Sequence, residues 1–226
     1  MKSTDFIFNK DSIKSRLLDF RSPNRLSMEY EHFVKSAVII LIIPYKNKPY
    51  ELLLIRRTKR NNDKHSGEMS FPGGKFDSLY DKSYLDTALR ELNEELGISP
   101  SKVHLLGCID DHLTPKGFII TPFVASIHQD QKIKKQDTEV KEIIKIPINF
   151  LAKKENYRER TYNLKGYIIG VGKYTYKSPQ NNKKYVIFGA TSHIIVNFIE
   201  HVYDIVLKTP GCRRINCDDI KDRFIE

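Results

Sequence analysis

Three carboxylates, Glu91, Glu94 and Glu95, lie within two helical turns of a chain whose formal net charge is +10. The surrounding residues 83–96 repeat leucine at helical spacing, and Gly97 follows them, so we predict a helix capped at Ser83. A helix advances about 100° per residue, which places the carboxylates on one face and the leucines on the other. Clustered carboxylates suit Mg²⁺ or Mn²⁺, which also bind substrate phosphates. From the helix alone, the alternative to a metal site is an acidic face that is simply exposed to solvent.

The residues just before this helix favour the metal site. The sequence SFPGGK places two glycines where a strand turns into a loop. Glycine lets the backbone approach a ligand closely and leaves carbonyl groups free to point at a cation. Loop, helix and carboxylate spacing together are more specific than any one of them.

The rest of the chain predicts one mixed α/β domain that would position these groups. A short helix over residues 10–20, capped by Asp11 or Ser12, precedes two apolar runs that read as a β-hairpin. Further strands are predicted in KVHLLGCI, FIITPFVASI and EVKEIIKIPI, then a β-ribbon over 159–188 and a helix in ATSHIIVNFIEHVYDIVL. The residues FPGGKFDSLYDKS are predicted to be loop, and the tail 208–226 has no assigned role.

The composition indicates what kind of partner the chain binds and in which cellular compartment it works. The excess of 38 Lys and Arg over 28 Asp and Glu predicts an anionic partner, unless it reflects solubility alone. Cys108, Cys212 and Cys217 are odd in number and form no close CxxC pair, which argues against a disulfide framework or a cysteine zinc site and favours the cytoplasm. No signal peptide or membrane span is expected, since the longest apolar run is about half the length of a membrane helix.

The segment RELNEELGI resembles the second half of the Nudix box at every defined position, from Arg90 to Ile98. This resemblance implies an α/β fold, a Nudix-type α/β/α sandwich with a mixed β-sheet and a loop-helix catalytic motif. It also implies three segments: an N-terminal helical extension over 1–32, a Nudix hydrolase domain over 33–207 and a C-terminal extension over 208–226.

The first half of the box departs from the family pattern. Gly74 lies sixteen residues before Arg90, where the strict box has fourteen, and Lys82 stands where the box has Glu. The loop is therefore two residues longer than the pattern. We expect Asp81 or Asp77 to take over the missing acidic role.

A second, upstream pattern is similar to that of the coenzyme A pyrophosphatase branch of the family. The residues Gly67, Phe71, Pro72, Gly73 and Gly74 match it at the right spacing. The branch often has Arg four residues before that first glycine, and this chain has Asp63 there.

The resemblance also implies roles for single residues. Glu91 and Glu95 would be the main metal ligands, with Glu94 as a further ligand or water-positioning group and the Gly74 carbonyl as another ligand. Arg90 would hold the carboxylates, and Glu139 would supply the last acidic group, with Asp137 and Glu142 as rivals. Substrate-binding residues are predicted to be Arg56, Arg57, His65, Phe71, Gly73 and Lys75, with Lys59, Arg60 and Lys64 as further phosphate contacts. Any one of these basic residues could instead be an ordinary solvated charge.

The function implied is Mg²⁺- or Mn²⁺-dependent hydrolysis of coenzyme A or a derivative to 3′,5′-ADP and 4′-phosphopantetheine. The first alternative is ADP-ribose or another nucleoside diphosphate derivative as the substrate. The second is a non-catalytic module that binds a nucleotide or RNA. We expect a small anionic substrate, no nucleic acid, no membrane and a cytoplasmic location, and we keep a homodimer as an option.

Overall fold

The computed structural model describes residues 6–58 and 67–223. In these ranges the α-helices are α1 Lys10–Arg16, α2 Tyr84–Leu96, α3 Ile148–Leu151, α4 Gly189–Tyr203 and α5 Cys217–Ile220. The strands are β1 Val34–Ile43, β2 Glu51–Arg57, β3 Met69–Ser70, β4 Gly73–Lys75, β5 His104–Cys108, β6 His112–Leu113, β7 Phe118–Ser126, β8 Val140–Pro147, β9 Tyr157–Leu164, β10 Tyr167–Lys177 and β11 Lys184–Phe188.

Strand β1 lies at the centre of the main sheet. It pairs antiparallel with β2, as the hairpin prediction required, and parallel with β7, so the sheet is mixed. Strand β8 extends the sheet beyond β2. The strands predicted in KVHLLGCI, FIITPFVASI and EVKEIIKIPI are confirmed as β5, β7 and β8.

Two helices cover the two faces of this sheet. Successive side chains of a strand point to opposite faces, and β1 is apolar on both: Ile39 packs in a cluster with Leu92 of α2, whereas Ile40 packs in a cluster with Phe198 of α4. Both clusters consist of buried aliphatic and aromatic side chains. The predicted α/β/α sandwich is therefore confirmed.

The glycine-rich segment differs from its prediction as a loop. Residues Gly73–Lys75 form a short strand, β4, antiparallel to β1, with Ala37 opposite Gly74. The close approach depends on Gly73, whose φ is +149° and whose added Cβ would lie 2.2 Å from the Ala37 carbonyl oxygen. The missing side chain lets the segment lie directly against the sheet.

Three predicted helix ends were wrong: α1 has a different N-cap and ends at Arg16 instead of residue 20, and α4 ends early. Asn9, not Asp11 or Ser12, caps α1, and its side chain accepts the N–H of Ser12 at 2.9 Å. Helix α4 ends at Tyr203, before the predicted end at residue 207, because Asp204 adopts a left-handed conformation with φ 55°.

The predicted β-ribbon is a three-stranded antiparallel sheet of β9, β10 and β11. The C-terminal segment packs against it: Arg214 forms an ion pair with Glu159 on β9 at 2.6 Å, and the Arg213 N–H binds the Ile168 carbonyl on β10. At the other end of the chain, Leu18 forms a β-bridge with Cys108 on β5.

We keep the boundaries of the three predicted segments, 1–32, 33–207 and 208–226, as a proposal. Within the described ranges, no helix is long and apolar enough to cross a membrane.

A buried histidine pair links β6 to α4. The rings of His112 and His193 meet edge to face at 5.2 Å, and His193 Nε2 accepts the Gly172 N–H at 2.9 Å. Burial lowers the pKa of His112 to about 4 and that of His193 to about 2, with smaller contributions from Arg214 to both and from His112 to His193. Both rings are therefore neutral in the folded protein at neutral pH.

The pair predicts acid sensitivity. Below about pH 6.5 the unfolded chain binds protons on these histidines that the folded protein excludes, so the unfolding free energy should fall as the pH drops from 6.5 towards 4. Each neutral histidine contributes a slope of up to about 1.4 kcal/mol per pH unit. Urea unfolding at pH 7, 6 and 5 should show a shallower slope for His112→Gln than for the wild type. His104→Gln, at an exposed position on β5, is the control, and an unchanged slope in His112→Gln would contradict the interpretation.

Candidate active site

Helix α2 carries the predicted acidic face and is bounded as the sequence predicts. The Ser83 hydroxyl accepts the Asp86 N–H at 3.2 Å, and Gly97 ends the helix in a left-handed conformation with φ 64°. Ala88 and Leu92 are fully buried against the sheet. This packing turns the face with the three glutamates towards the glycine-rich segment.

Glu95 is the most enclosed of the three glutamates. Its side chain is 3% exposed, and one oxygen accepts the Gly73 N–H at 3.1 Å, while Arg57 Nη1 lies 4.0 Å from the other. Burial raises the pKa of this carboxyl to about 8 against the opposing effects of the Gly73 hydrogen bond and Arg57. A buried carboxylate of this kind gains from a nearby positive charge.

Glu91 faces the backbone of Gly74 at very short range. A Cβ built on Gly74 would lie 2.3 Å from Glu91 Oε1. Burial raises the pKa of Glu91, and the hydrogen bond from Arg90 opposes that shift. With any other residue at position 74, the Glu91 carboxylate would have to leave its position against the β4 backbone.

Arg90 connects the carboxylates, as the sequence predicts. Its Nη1 lies 2.8 Å from Glu91 Oε1 and 3.0 Å from Glu94 Oε2, and its Nε and Nη2 bind the two oxygens of Asp81 at 2.9 and 3.1 Å. The Asp81 interaction is a bidentate pair, the strongest geometry available to a guanidinium. It is also the main cause of the raised pKa of Arg90.

Of the two acids predicted to replace the missing Glu of the box, Asp81 is the one that binds Arg90. Its side chain is 1% exposed and also accepts the Thr87 hydroxyl at 2.9 Å. Hydrogen bonding to Arg90 is the main cause that lowers its pKa to about 2, so it is a permanent anion at neutral pH. Of the two acids considered from the sequence, Asp77 instead closes the turn before Asp81, where its backbone N–H binds Asp81 at 3.0 Å.

The loop before β8 brings Glu139 towards the same face. The Gln136 N–H binds the carbonyl of Glu95 at 2.9 Å, which ties the loop to the end of α2. The charge of Glu139 contributes to the raised pKa of both Glu91 and Glu95, so it lies near them.

The two rivals of Glu139 are engaged elsewhere. Asp137 forms an ion pair with Lys135 and its side chain is 82% exposed. Glu142 accepts the Tyr185 hydroxyl at 2.8 Å and pairs with Arg56 at 3.1 Å. We retain Glu139 as the predicted fourth acid.

A cavity of about 560 Å³ opens beside the glutamates, within the range of small-molecule sites. Its lining residues are Lys75, Phe76, Asp77, Tyr80, Arg90, Glu91 and Glu94. The sequence predictions included Lys75 and the box residues but missed Phe76 and Tyr80. Both lie in the longer part of the loop, where no pattern defined their role.

Comparison with known families decides the identity of this arrangement. A family model described as the NUDIX domain matches residues 34–163, more than half of the chain. The chain belongs to the Nudix family. Nudix hydrolases act on small nucleotide derivatives and generally use divalent ions such as Mg²⁺ or Mn²⁺.

Two relatives place this Nudix hydrolase in the coenzyme A pyrophosphatase-like branch. It is 27% identical over 188 residues to the peroxisomal coenzyme A diphosphatase NUDT7 of Mus musculus, covering 82% of this chain and 77% of that protein. It is 32% identical over 180 residues to the uncharacterized Nudix hydrolase NudL of Photorhabdus laumondii, covering 80% of this chain and 89% of that protein. A solved MutT/nudix family protein from Enterococcus faecalis shares the fold, with a TM-score of 0.50 and 19% identity over 80% of this chain and 66% of that chain.

The donor set of this Nudix hydrolase fits a divalent cation in its chemistry. Hard oxygen ligands are present on Glu91, Glu94 and Glu95, and the missing side chain of Gly74 lets the Glu91 carboxylate lie against the β4 backbone. In the described parts of the chain, no three Asp, Glu, His or Cys side chains already converge on one point that could hold a metal ion. Arg90 and the Gly73 N–H bind carboxylate oxygens instead.

The remaining predicted substrate residues are dispersed. Arg56 pairs with Glu142, and Arg57 lies near Glu95. Phe71 is 2% exposed within the core, so we replace its predicted substrate contact by a packing role. Lys75 lies at the cavity, with its ammonium group 5.5 Å from the Phe118 ring centroid. His65, Lys59, Arg60 and Lys64 lie outside the described residues.

Asp81→Ala should disable the site through Arg90. The guanidinium would lose its bidentate partner, so we expect at least a tenfold fall in kcat and a loss of about 2 kcal/mol of unfolding free energy. Steady-state kinetics and urea unfolding measure the two effects. The neighbouring Lys82→Ala, at an exposed position, should change neither. Equal behaviour of the two variants would show that Asp81 has no special role.

Proposed function

We propose that this Nudix hydrolase cleaves the diphosphate of coenzyme A or a derivative, giving 3′,5′-ADP and 4′-phosphopantetheine. The observation that carries the proposal is the glycine-rich pattern of the coenzyme A branch lying directly against the acidic helix: the Gly73 N–H binds Glu95, and Gly74 faces Glu91. The similarity to a coenzyme A diphosphatase over 82% of this chain supports the same substrate.

The reaction adds water across one phosphoanhydride bond. The water oxygen bonds to one phosphorus, the bridging oxygen leaves with the other phosphate, and the water proton passes to a basic group. A divalent cation, when bound, neutralises phosphate charge and lowers the pKa of the attacking water. Glu91, Glu95 and the Gly74 carbonyl would hold it, with Glu94 as a further ligand.

The remaining residues of the site would orient the carboxylates and balance the charge of the substrate. Arg90, fixed by Asp81, positions Glu91 and Glu94, while Glu94 or Glu139 would accept the proton of the water. Lys75 would face the substrate phosphate as a point charge, and Arg57 would face it as a planar hydrogen-bond donor. The net charge of +10 would attract an anionic substrate towards the acidic centre.

Two alternative functions remain. ADP-ribose or another nucleoside diphosphate derivative would use the same acids and the same cavity. A non-catalytic module for nucleotide or RNA would not need Glu91, Glu94 and Glu95 arranged around one arginine, which speaks for catalysis. We also propose a cytoplasmic location, supported by the free thiols of Cys108, Cys212 and Cys217. A homodimer stays an untested option.

Glu95→Gln tests the proposal directly. The amide keeps the shape of the side chain but cannot ionise to bind a cation, so we expect cation-dependent turnover of coenzyme A to fall at least a hundredfold with little change in thermal stability. Glu155→Gln, at an exposed ion pair with Lys153, is the matched control and should keep full activity.

The substrate is identified by a panel. Coenzyme A, acetyl-coenzyme A, ADP-ribose and nucleoside triphosphates are assayed with Mg²⁺ and with Mn²⁺, and products are separated by chromatography. The proposal expects coenzyme A or its derivative to have the highest kcat/KM. A preference for ADP-ribose would support the first alternative, and no turnover of any compound together with tight RNA binding would favour the module.

A further inference from the structure

The turn between β4 and α2 exposes two large apolar side chains. Leu79 is 84% exposed and Tyr80 is 75% exposed, the highest values among the large apolar residues that the structure describes. Exposed apolar groups next to a binding cleft often mark a contact surface. The pair also lies in the loop that is two residues longer than the family pattern.

This turn is held by internal hydrogen bonds. The Asp77 carbonyl accepts the N–H groups of Tyr80 and Asp81 at 3.1 and 2.8 Å, and the Asp77 carboxylate accepts the N–H of Leu79 at 2.9 Å. Asp81 in turn binds Arg90 through both oxygens. Tyr80 therefore stands one residue before Asp81, and its backbone position relative to α2 is fixed.

Tyr80 also faces the same cavity as the acidic groups. It lines that cavity together with Phe76, Arg90, Glu91 and Glu94. The Phe76 ring is itself held edge to face against Tyr84 at 5.2 Å. The cavity thus combines aromatic surface with the groups that would hold and cleave a diphosphate.

We propose that Tyr80, flanked by Leu79, is a stacking platform for the purine base of the substrate. The proposal rests on the proposed function, since it assumes that a nucleoside diphosphate occupies the cavity. A phenol ring stacks on any base through its π face, and the base of a nucleoside diphosphate lies one sugar away from its phosphates. Lys75, in the same cavity, supplies a cation for the phosphate side.

The backbone of the turn favours a base over the pantetheine arm. That arm carries amide groups, which need hydrogen-bond partners when they are desolvated. The N–H groups of Leu79, Tyr80 and Asp81 are all donated within the turn. The turn offers flat apolar surface and few free donors, which suits a stacked base.

Binding measurements with two probes test the platform. ADP carries the base, and inorganic pyrophosphate carries only the phosphates, so both are titrated with Mg²⁺ by calorimetry into wild type, Tyr80→Ala and Tyr80→Phe. We expect Tyr80→Ala to weaken ADP about tenfold, while pyrophosphate stays within twofold. Tyr80→Phe, which keeps the ring, should bind ADP within twofold of the wild type.

Kinetics and a control complete the test. Tyr80→Ala should raise KM for coenzyme A about tenfold with kcat within twofold, and it should weaken inhibition by 3′,5′-ADP but not by 4′-phosphopantetheine. Tyr162→Ala removes another exposed tyrosine, 53% exposed on β9, and should change none of these values. Unchanged melting temperatures would confirm that the variants are folded.

Distinct outcomes separate this inference from the proposed function. Unchanged ADP binding in Tyr80→Ala would overturn the platform, as would an equal loss for pyrophosphate or a loss confined to 4′-phosphopantetheine. The wild type could fail to cleave coenzyme A while Tyr80→Ala still binds ADP more weakly than the wild type does. In that case the substrate proposal fails and the platform stands.

Discussion

The Arg90 guanidinium contacts three carboxylates at once, those of Asp81, Glu91 and Glu94, and the acidic face of α2 depends on this shared cation. Like charges one turn apart destabilise an isolated helix by about 0.2–0.5 kcal/mol per pair. Arg90 offsets that repulsion, and Asp81 fixes the guanidinium from the other side. An acidic centre can therefore exist in folded form on a chain that is basic overall.

The sandwich supplies the rest of the positioning. Strand β1 is buried on both faces because α2 covers one side and α4 the other, so α2 has a rigid support beneath its leucines. Glu95 is the point where core and site meet: it lies on the helix, is buried, and binds the backbone of β4. The raised pKa of Glu95 follows from this burial, so the packing of the fold directly sets the electrostatics of the site.

Local signals predicted most of the helices and strands and the acidic face of α2. Helix α2, its Ser83 cap, the hairpin and the ribbon all have periodicities or turn residues that a sequence shows directly. Contacts between distant segments could not be predicted, because no local pattern encodes them. The pairing of β4 with β1 and the burial of Phe71 are of this kind. The sequence named Asp81 and Asp77 as two candidates for the missing acidic residue of the box. It could not decide between them, because the decision depends on which side chain points towards Arg90.

The pairing of β4 with β1 has a consequence for how the protein moves. A glycine-rich loop free in solvent would fluctuate independently, but here the Ile39 N–H binds the Pro72 carbonyl and Gly73 and Gly74 lie in register with the central strand. The backbone of Gly73–Lys75 is therefore restrained by the core strand instead of moving independently of it. The glycine segment therefore presents a fixed backbone to Glu91 and Glu95 on α2.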